Sequence, residues 1–120
     1  YVNDSWDTST DTNEFIEICG PAEWDISGWT IELYIDLSQS YTGSVYSLYA
    51  TYTIPDGTIL SNDASGYGFF VLADDNPLLV KDITFTHTNL FDGTQLADGV
   101  GFGPSGIRLF NEGHGIEHAV

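Results

Sequence analysis

Gly28-Trp29-Thr30-Ile31-Glu32-Leu33-Tyr34-Ile35 decides the fold class. Trp29, Ile31, Leu33 and Ile35 fall on one face and Thr30, Glu32 and Tyr34 on the other. That is the period-two alternation of a strand with one side against a core. The same rhythm returns on either side. In Glu14–Cys19, Ile16 and Ile18 face one way, with Phe15, Glu17 and Cys19 opposite. Between Val45 and Ile54, the residues Tyr46, Leu48, Ala50, Tyr52 and Ile54 form the apolar set. Tyr67–Ala73 (YGFFVLA) is apolar on both faces, as a central strand is. Shorter strands are expected over Ile83–Thr88, Ile107–Phe110 and Ile116–Val120. Gly20-Pro21, Pro55-Asp56-Gly57 and Asn111–Gly115 supply turns. Residues 3–13 and 36–44 read as polar connections, with a short first strand before the former.

Composition agrees. Of 120 residues, 42% are apolar, and seven Tyr, seven Phe and three Trp suit sheet surfaces. No Met is present and only two residues are Lys or Arg, so the usual helix formers are scarce. One all-β domain spanning 1–120, a β-sandwich or barrel, is the expectation.

Charge narrows the partners. Eighteen acidic residues against Lys81 and Arg108 leave a formal net charge of −16. Such a surface repels phosphate backbones and anionic lipid heads, which are bound through Lys and Arg. Nucleic acid and membrane surfaces are therefore poor partners. The charge suits salty surroundings or calcium-rich extracellular fluid, so an extracellular or cell-surface setting is expected. No apolar run approaches the ~20 residues of a spanning helix. The lack of an initiator Met is what a processed or excised piece of a longer protein shows. Cys19 is the only cysteine, expected as a small buried hydrophobe on its strand. Asn3-Asp4-Ser5 fits the glycosylation sequon.

Four signatures, in order, resemble those of the lamin tail domain family. Asn13–Ile18 followed by Asp25–Ile31 is similar to its opening signature, and Pro55-Asp56-Gly57-Thr58-Ile59-Leu60 to its proline-x-Gly-Thr-x-Leu motif. Tyr67–Leu72 resembles its aromatic strand, and Gly106–His114 its closing Gly-x-x-Leu-x-Asn-x-x-Gly pattern. The resemblance covers residues 13 to 120. It implies an immunoglobulin-like β-sandwich. It also implies a non-catalytic module of a secreted or surface protein, often beside nucleases, phosphoesterases or adhesion domains. The chain departs from the pattern in longer segments between Tyr34 and Pro55 and over 74–106, where a private function would sit. The DNA association of nuclear members does not carry over, because the charge has the wrong sign.

Two catalytic-looking motifs fail on context. His114-Gly115-Ile116-Glu117-His118 matches H-x-x-E-H. That zinc chemistry needs a helix to bring both histidines onto one face, about 6 Å apart. In the strand expected here they stand about 13 Å apart. Gly101–Gly106 matches G-x-G-x-x-G, but Pro104 interrupts it and a β segment, not a helix, follows. Glu17 shares a face with Phe15 but has no evident carboxylate partner for glycosidase-like chemistry.

The better candidates are binding groups. Asp4, Asp7, Asp11, Asn13 and Glu14 offer hard oxygens of the kind calcium takes, without EF-hand spacing. Asp74-Asp75-Asn76 and Asp92/Asp98 are weaker versions. Tyr34, Tyr41, Tyr46, Tyr49 and Tyr52 crowd together. Tyr46 and Tyr52 belong to the apolar alternation, which leaves Tyr41 and Tyr49 for a ligand platform or interface. The reading is an interaction or structural module that joins neighbouring domains or identical subunits. The alternative is a calcium-dependent carbohydrate-binding or adhesion domain.

The charge makes a direct prediction. Raising NaCl from about 0.01 M to 1 M shortens the screening length from about 30 Å to about 3 Å. The melting temperature, followed by circular dichroism, is expected to rise steadily over that range. A flat or falling profile would show that self-repulsion does not limit stability.

Overall fold

The computed structural model describes residues 14–36, 46–75, 78, 80–85, 88–89, 96–97, 105–113 and 115–119. Within these the chain is all β, with no helix. Its strands are β1 (Phe15–Pro21), β2 (Thr30–Asp36), β3 (Tyr46–Thr53), β4 (Tyr67–Ala73) and β5 (Ile83–Thr84). They continue with β6 (Thr88–Asn89), β7 (Leu96–Ala97), β8 (Ser105–Asn111) and β9 (Gly115–Ala119). Three sheets form, in the orders β1-β4-β5, β3-β2-β8-β9 and β6-β7. The chain divides into two compact units, Tyr1–Trp24 with Leu60–Gly101, and Asp25–Ile59 with Phe102–Val120.

The first unit is built on β4, antiparallel to β1 and parallel to β5, so the strand apolar on both faces is central as its sequence requires. On one face Ile16 lies opposite Leu72 and Ile18 opposite Phe70, with Phe70 and Leu72 buried. Two glycines come next in register, Gly20 opposite Gly68. They leave a notch, and Leu60 fills it, 2% exposed. Leu60 is held there by its backbone: its N–H donates to Trp24 O at 2.9 Å, and its carbonyl accepts from Glu23 N–H at 2.7 Å. The main chain passes so close that a Cβ on Gly68 would stand 2.1 Å from Ser61 O. On Gly20 it would press on the tip of the Leu60 side chain, at 2.9 Å, with the Trp24 ring at an ordinary contact distance of 3.7 Å.

The other face of this sheet carries Glu17 opposite Val71 and Cys19 opposite Phe69. Cys19 is exposed, which corrects the expectation of burial. The alternation puts it with Glu17, on the face away from Leu60. Beyond β1 the ladder gains one more pair, because Asp74 N–H donates to Glu14 O at 3.1 Å.

In the second unit β2 lies between β3 and β8, all antiparallel, and β9 closes the far side. Ile31, Leu33, Ala50 and Tyr52 are buried on one face of β2 and β3. Backbone bonds carry the pairing past the strand ends: Gly28 N–H to Ile54 O at 3.0 Å and Ile54 N–H to Trp29 O at 2.8 Å. These bury Ile26 and Ile54 as well. The segments reverse at turns closed by Trp29 N–H to Ile26 O and Thr58 N–H to Pro55 O. The third residue of each is a glycine at positive φ, Gly28 at 75° and Gly57 at 78°, where a side chain would be strained.

Three details depart from the sequence reading. Ile83–Thr88 is not one strand, because β5 pairs with β4 while β6 pairs with β7, a strand the pattern did not disclose. β1 runs on past Cys19 through Gly20 and ends on Pro21, opposite Tyr67. Leu48 is not in the core. The ladder steps from Leu33↔Ala50 to Tyr34↔Leu48, so Tyr49 is an extra residue, a β-bulge. Because side chains alternate, that one residue turns Leu48 to the opposite face, where it is 51% exposed.

The glycine pair gives a graded prediction. Gly68→Ala drives a methyl into backbone and is expected to cost about 3 kcal/mol or more, or to prevent folding. Gly20→Ala presses only on a movable side-chain tip and is expected to cost about 1 kcal/mol. Urea denaturation of the two variants checks the order; equal costs would show that the close approach at Gly68 does not constrain the unit.

Candidate functional site

The outward face of β3, β2 and β8 holds the most structured set of chemical groups among the described residues. Register defines it in three rows: Thr53, Thr30 and Phe110; Thr51, Glu32 and Arg108; then Leu48, Tyr34 and Gly106. Thr51, Thr53 and Leu48 are exposed, while Thr30, Tyr34, Arg108 and Phe110 are half-buried.

Glu32 is at the centre. The alternation places it on the polar face, yet it is buried, because its neighbours close over it. One oxygen, Oε2, accepts from Arg108 Nε at 2.6 Å and from Tyr34 Oη at 2.5 Å, and Arg108 Nη2 also contacts it. The guanidinium centre lies 4.9 Å from the Phe110 ring centroid and 5.6 Å from that of Tyr34. Both distances are within cation–π range. Thus one of the chain's two Lys or Arg residues is fixed by a carboxylate and two rings. The geometry follows from the ladder: Arg108 sits directly across from Glu32, Phe110 is two residues along the same strand, and Gly106 leaves space beside Tyr34.

By accepting the hydrogen bond that the Tyr34 hydroxyl donates, Glu32 holds the phenol in its neutral form and raises its pKa above the ordinary tyrosine value. Removal from solvent and the Glu32 charge add to this, while the Arg108 charge opposes it. The set is thus a rigid patch of guanidinium, aromatic and apolar surface. It contains no nucleophile–base pair, and Arg108 has its charge met by Glu32.

The residues singled out in the sequence are placed as follows. Asp4, Asp7, Asp11 and Asn13 lie outside the described residues, as do Tyr41, Asn76, Asp92 and Asp98. Tyr49 is the bulged residue of β3, its side chain outside the described set. Glu14 is fully buried, and its N–H donates to Asp74 Oδ2 at 3.3 Å. Two acidic segments sixty residues apart are therefore neighbours. Among the described residues no three His, Cys, Asp or Glu gather as a metal-binding group. Gly115–Ala119, the body of the H-x-x-E-H match, is strand, and Ser105–Asn111, which begins within the Gly-rich match, is strand too. Neither has the helix its chemistry needs.

Sequence reasoning missed Glu32 and Arg108. The available signal was the scarcity of cations: an arginine between Ile107 and Leu109, on a strand, in a chain with so few, had to find a carboxylate close by. Compared with the models of known protein families, with curated proteins and with solved structures, the chain matches none.

A double-mutant cycle tests the patch. Arg108→Met leaves Glu32 buried without its cation and is expected to cost about 3 kcal/mol. Glu32→Gln combined with Arg108→Met is expected to recover much of that loss, since no buried charge remains. Chemical denaturation measures the coupling, and strictly additive effects would mean that the pair contributes nothing as a pair.

Proposed function

We propose that this chain is a non-catalytic interaction or structural module of a secreted or cell-surface protein. In this reading it is an immunoglobulin-like β-sandwich of the lamin tail type, joining neighbouring domains or identical subunits. Sheets of three and four strands are the complement from which such a sandwich is built. The observation that carries the reading is the outward patch of Leu48, Tyr34, Arg108 and Phe110. Arginine and aromatic residues concentrate at interface centres, above all where they are held rigid before binding. The bulge at Tyr49 supports it further, since bulges recur where a strand re-aims a side chain for use. The net charge of −16 favours protein partners with basic rims over nucleic acid or membrane surfaces.

One observation favours the second reading, a calcium-dependent carbohydrate-binding or adhesion domain. Glu14 and Asp74, from two of the acidic candidates, are hydrogen-bonded neighbours. A calcium ion bound to the folded chain alone would raise its melting temperature with occupancy.

Thermal melts in calcium, in magnesium at equal ionic strength and in chelator separate the readings. The interaction-module reading expects the two divalent ions to act alike, through screening. A rise specific to calcium would transfer the proposal to the second reading. Leu48→Asp, a substitution on an exposed site, is expected to leave the melt nearly unchanged. In the parent polypeptide it is expected to abolish protection of this module from limited proteolysis by its neighbours. Unchanged protection would overturn the assignment of the patch.

A further inference from the structure

The outer edge of β4, on the side away from β1, is closed by side chains instead of by a full-length strand. β5 pairs with β4 only at Leu72 and Ala73. Ahead of that point Asp63 and Asp82 bond backbone groups of Tyr67, Phe69 and Val71 on this side, and Ala64 bonds the N–H and the carbonyl of Tyr67 at 2.9 and 3.0 Å. Phe69 N–H donates to Asp63 Oδ2 at 3.3 Å, and Val71 N–H to Asp82 Oδ2 at 2.7 Å. Each aspartate also donates its own N–H to the same edge, Asp63 to Tyr67 O at 2.9 Å and Asp82 to Val71 O at 2.8 Å. Both are exposed. Asp63 is itself oriented by Ser61 Oγ, which lies 2.7 and 2.8 Å from its two oxygens.

What these carboxylates cover is the stretch with the greatest tendency to pair. Gly68-Phe69-Phe70-Val71-Leu72-Ala73 is apolar, free of charge and proline, and already extended. That is the composition from which strands of separate molecules build shared sheets. A carboxylate oxygen accepts the N–H bond that a neighbouring strand's carbonyl would take, so that strand finds no donor to pair with.

We infer that Asp63 and Asp82 are edge guards, which keep β4 from adding a strand of a second copy of this chain. Removing their oxygens opens two N–H groups side by side, and the β4 edge of another molecule, antiparallel to the first, supplies the carbonyls. This inference is independent of the outward patch on β2, β3 and β8.

Sedimentation velocity over a concentration series tests it, on the unaltered chain, on Asp63→Ala/Asp82→Ala and on Asp63→Asn/Asp82→Asn. The alanine variant is expected to self-associate several-fold more tightly than the unaltered chain. Its Phe69 and Val71 amides should exchange fast with deuterium when dilute and slowly once associated. The asparagine variant keeps a carbonyl oxygen at each site and is expected to match the unaltered chain, although it has lost the same two charges. Should the double alanine variant fail to fold, Asp82→Ala alone, which leaves the Ser61–Tyr67 turn unaltered, gives the same reading at Val71. A folded alanine variant with unchanged association overturns the inference. So does equal association of the asparagine variant, which would assign the effect to charge, or association that leaves the Phe69 and Val71 amides fast.

Discussion

Alternation is the constraint on which this structure rests. A strand residue has two faces available, and its neighbours in sequence take the opposite one. In the first unit this puts Ile16, Ile18, Phe70 and Leu72 on the side that Leu60 covers, and leaves Glu17 and Cys19 on the other. In the second it buries Ile31, Leu33, Ala50 and Tyr52 and sends Glu32, Tyr34 and Arg108 outward together. A single residue out of step changes the assignment of all that follow. The extra Tyr49 does so, and Leu48 on the outward face is the result.

The second demand is that every polar group removed from water find a partner, and here the scarcity of cations shapes the answer. Glu32 cannot be buried bare, and one cross-strand arginine with one phenol satisfies it. Elsewhere among the described residues, backbone N–H groups donate to aspartates: Ser27 to Asp25, Phe69 to Asp63 and Val71 to Asp82. An acidic chain with so few bases thus uses aspartate as a structural acceptor. The carboxylates that carry its charge also complete its turns and edges.

Much of the fold was legible. β1, β2, β3, β4, β8 and β9 were each foreseen to within a few residues, because long alternating or doubly apolar runs bounded by Gly and Pro leave little choice. The short β6 and β7 were not, since two residues carry no period. Leu48 was misplaced because a bulge leaves no mark in an alternating run. Cys19 was misplaced because a general habit of cysteine was preferred to its parity with Glu17. The outward patch was hidden for another reason. Glu32 and Arg108 are separated by 76 positions, and only the pairing of β2 with β8 brings them together. Nothing local to either residue announces that pairing.

The position of Arg108 has a practical corollary in proteolysis. Trypsin cuts after Lys and Arg, and the chain offers it Lys81 and Arg108 alone. Arg108 lies in β8, flanked by β2 and β9, with its guanidinium held by Glu32. A protease needs that backbone extended and free in its cleft, so cleavage there waits for the sheet to come apart. When reclosing outpaces cutting, the rate of scission after Arg108 measures the fraction of time the four-stranded sheet stands open, and most openings close again uncut.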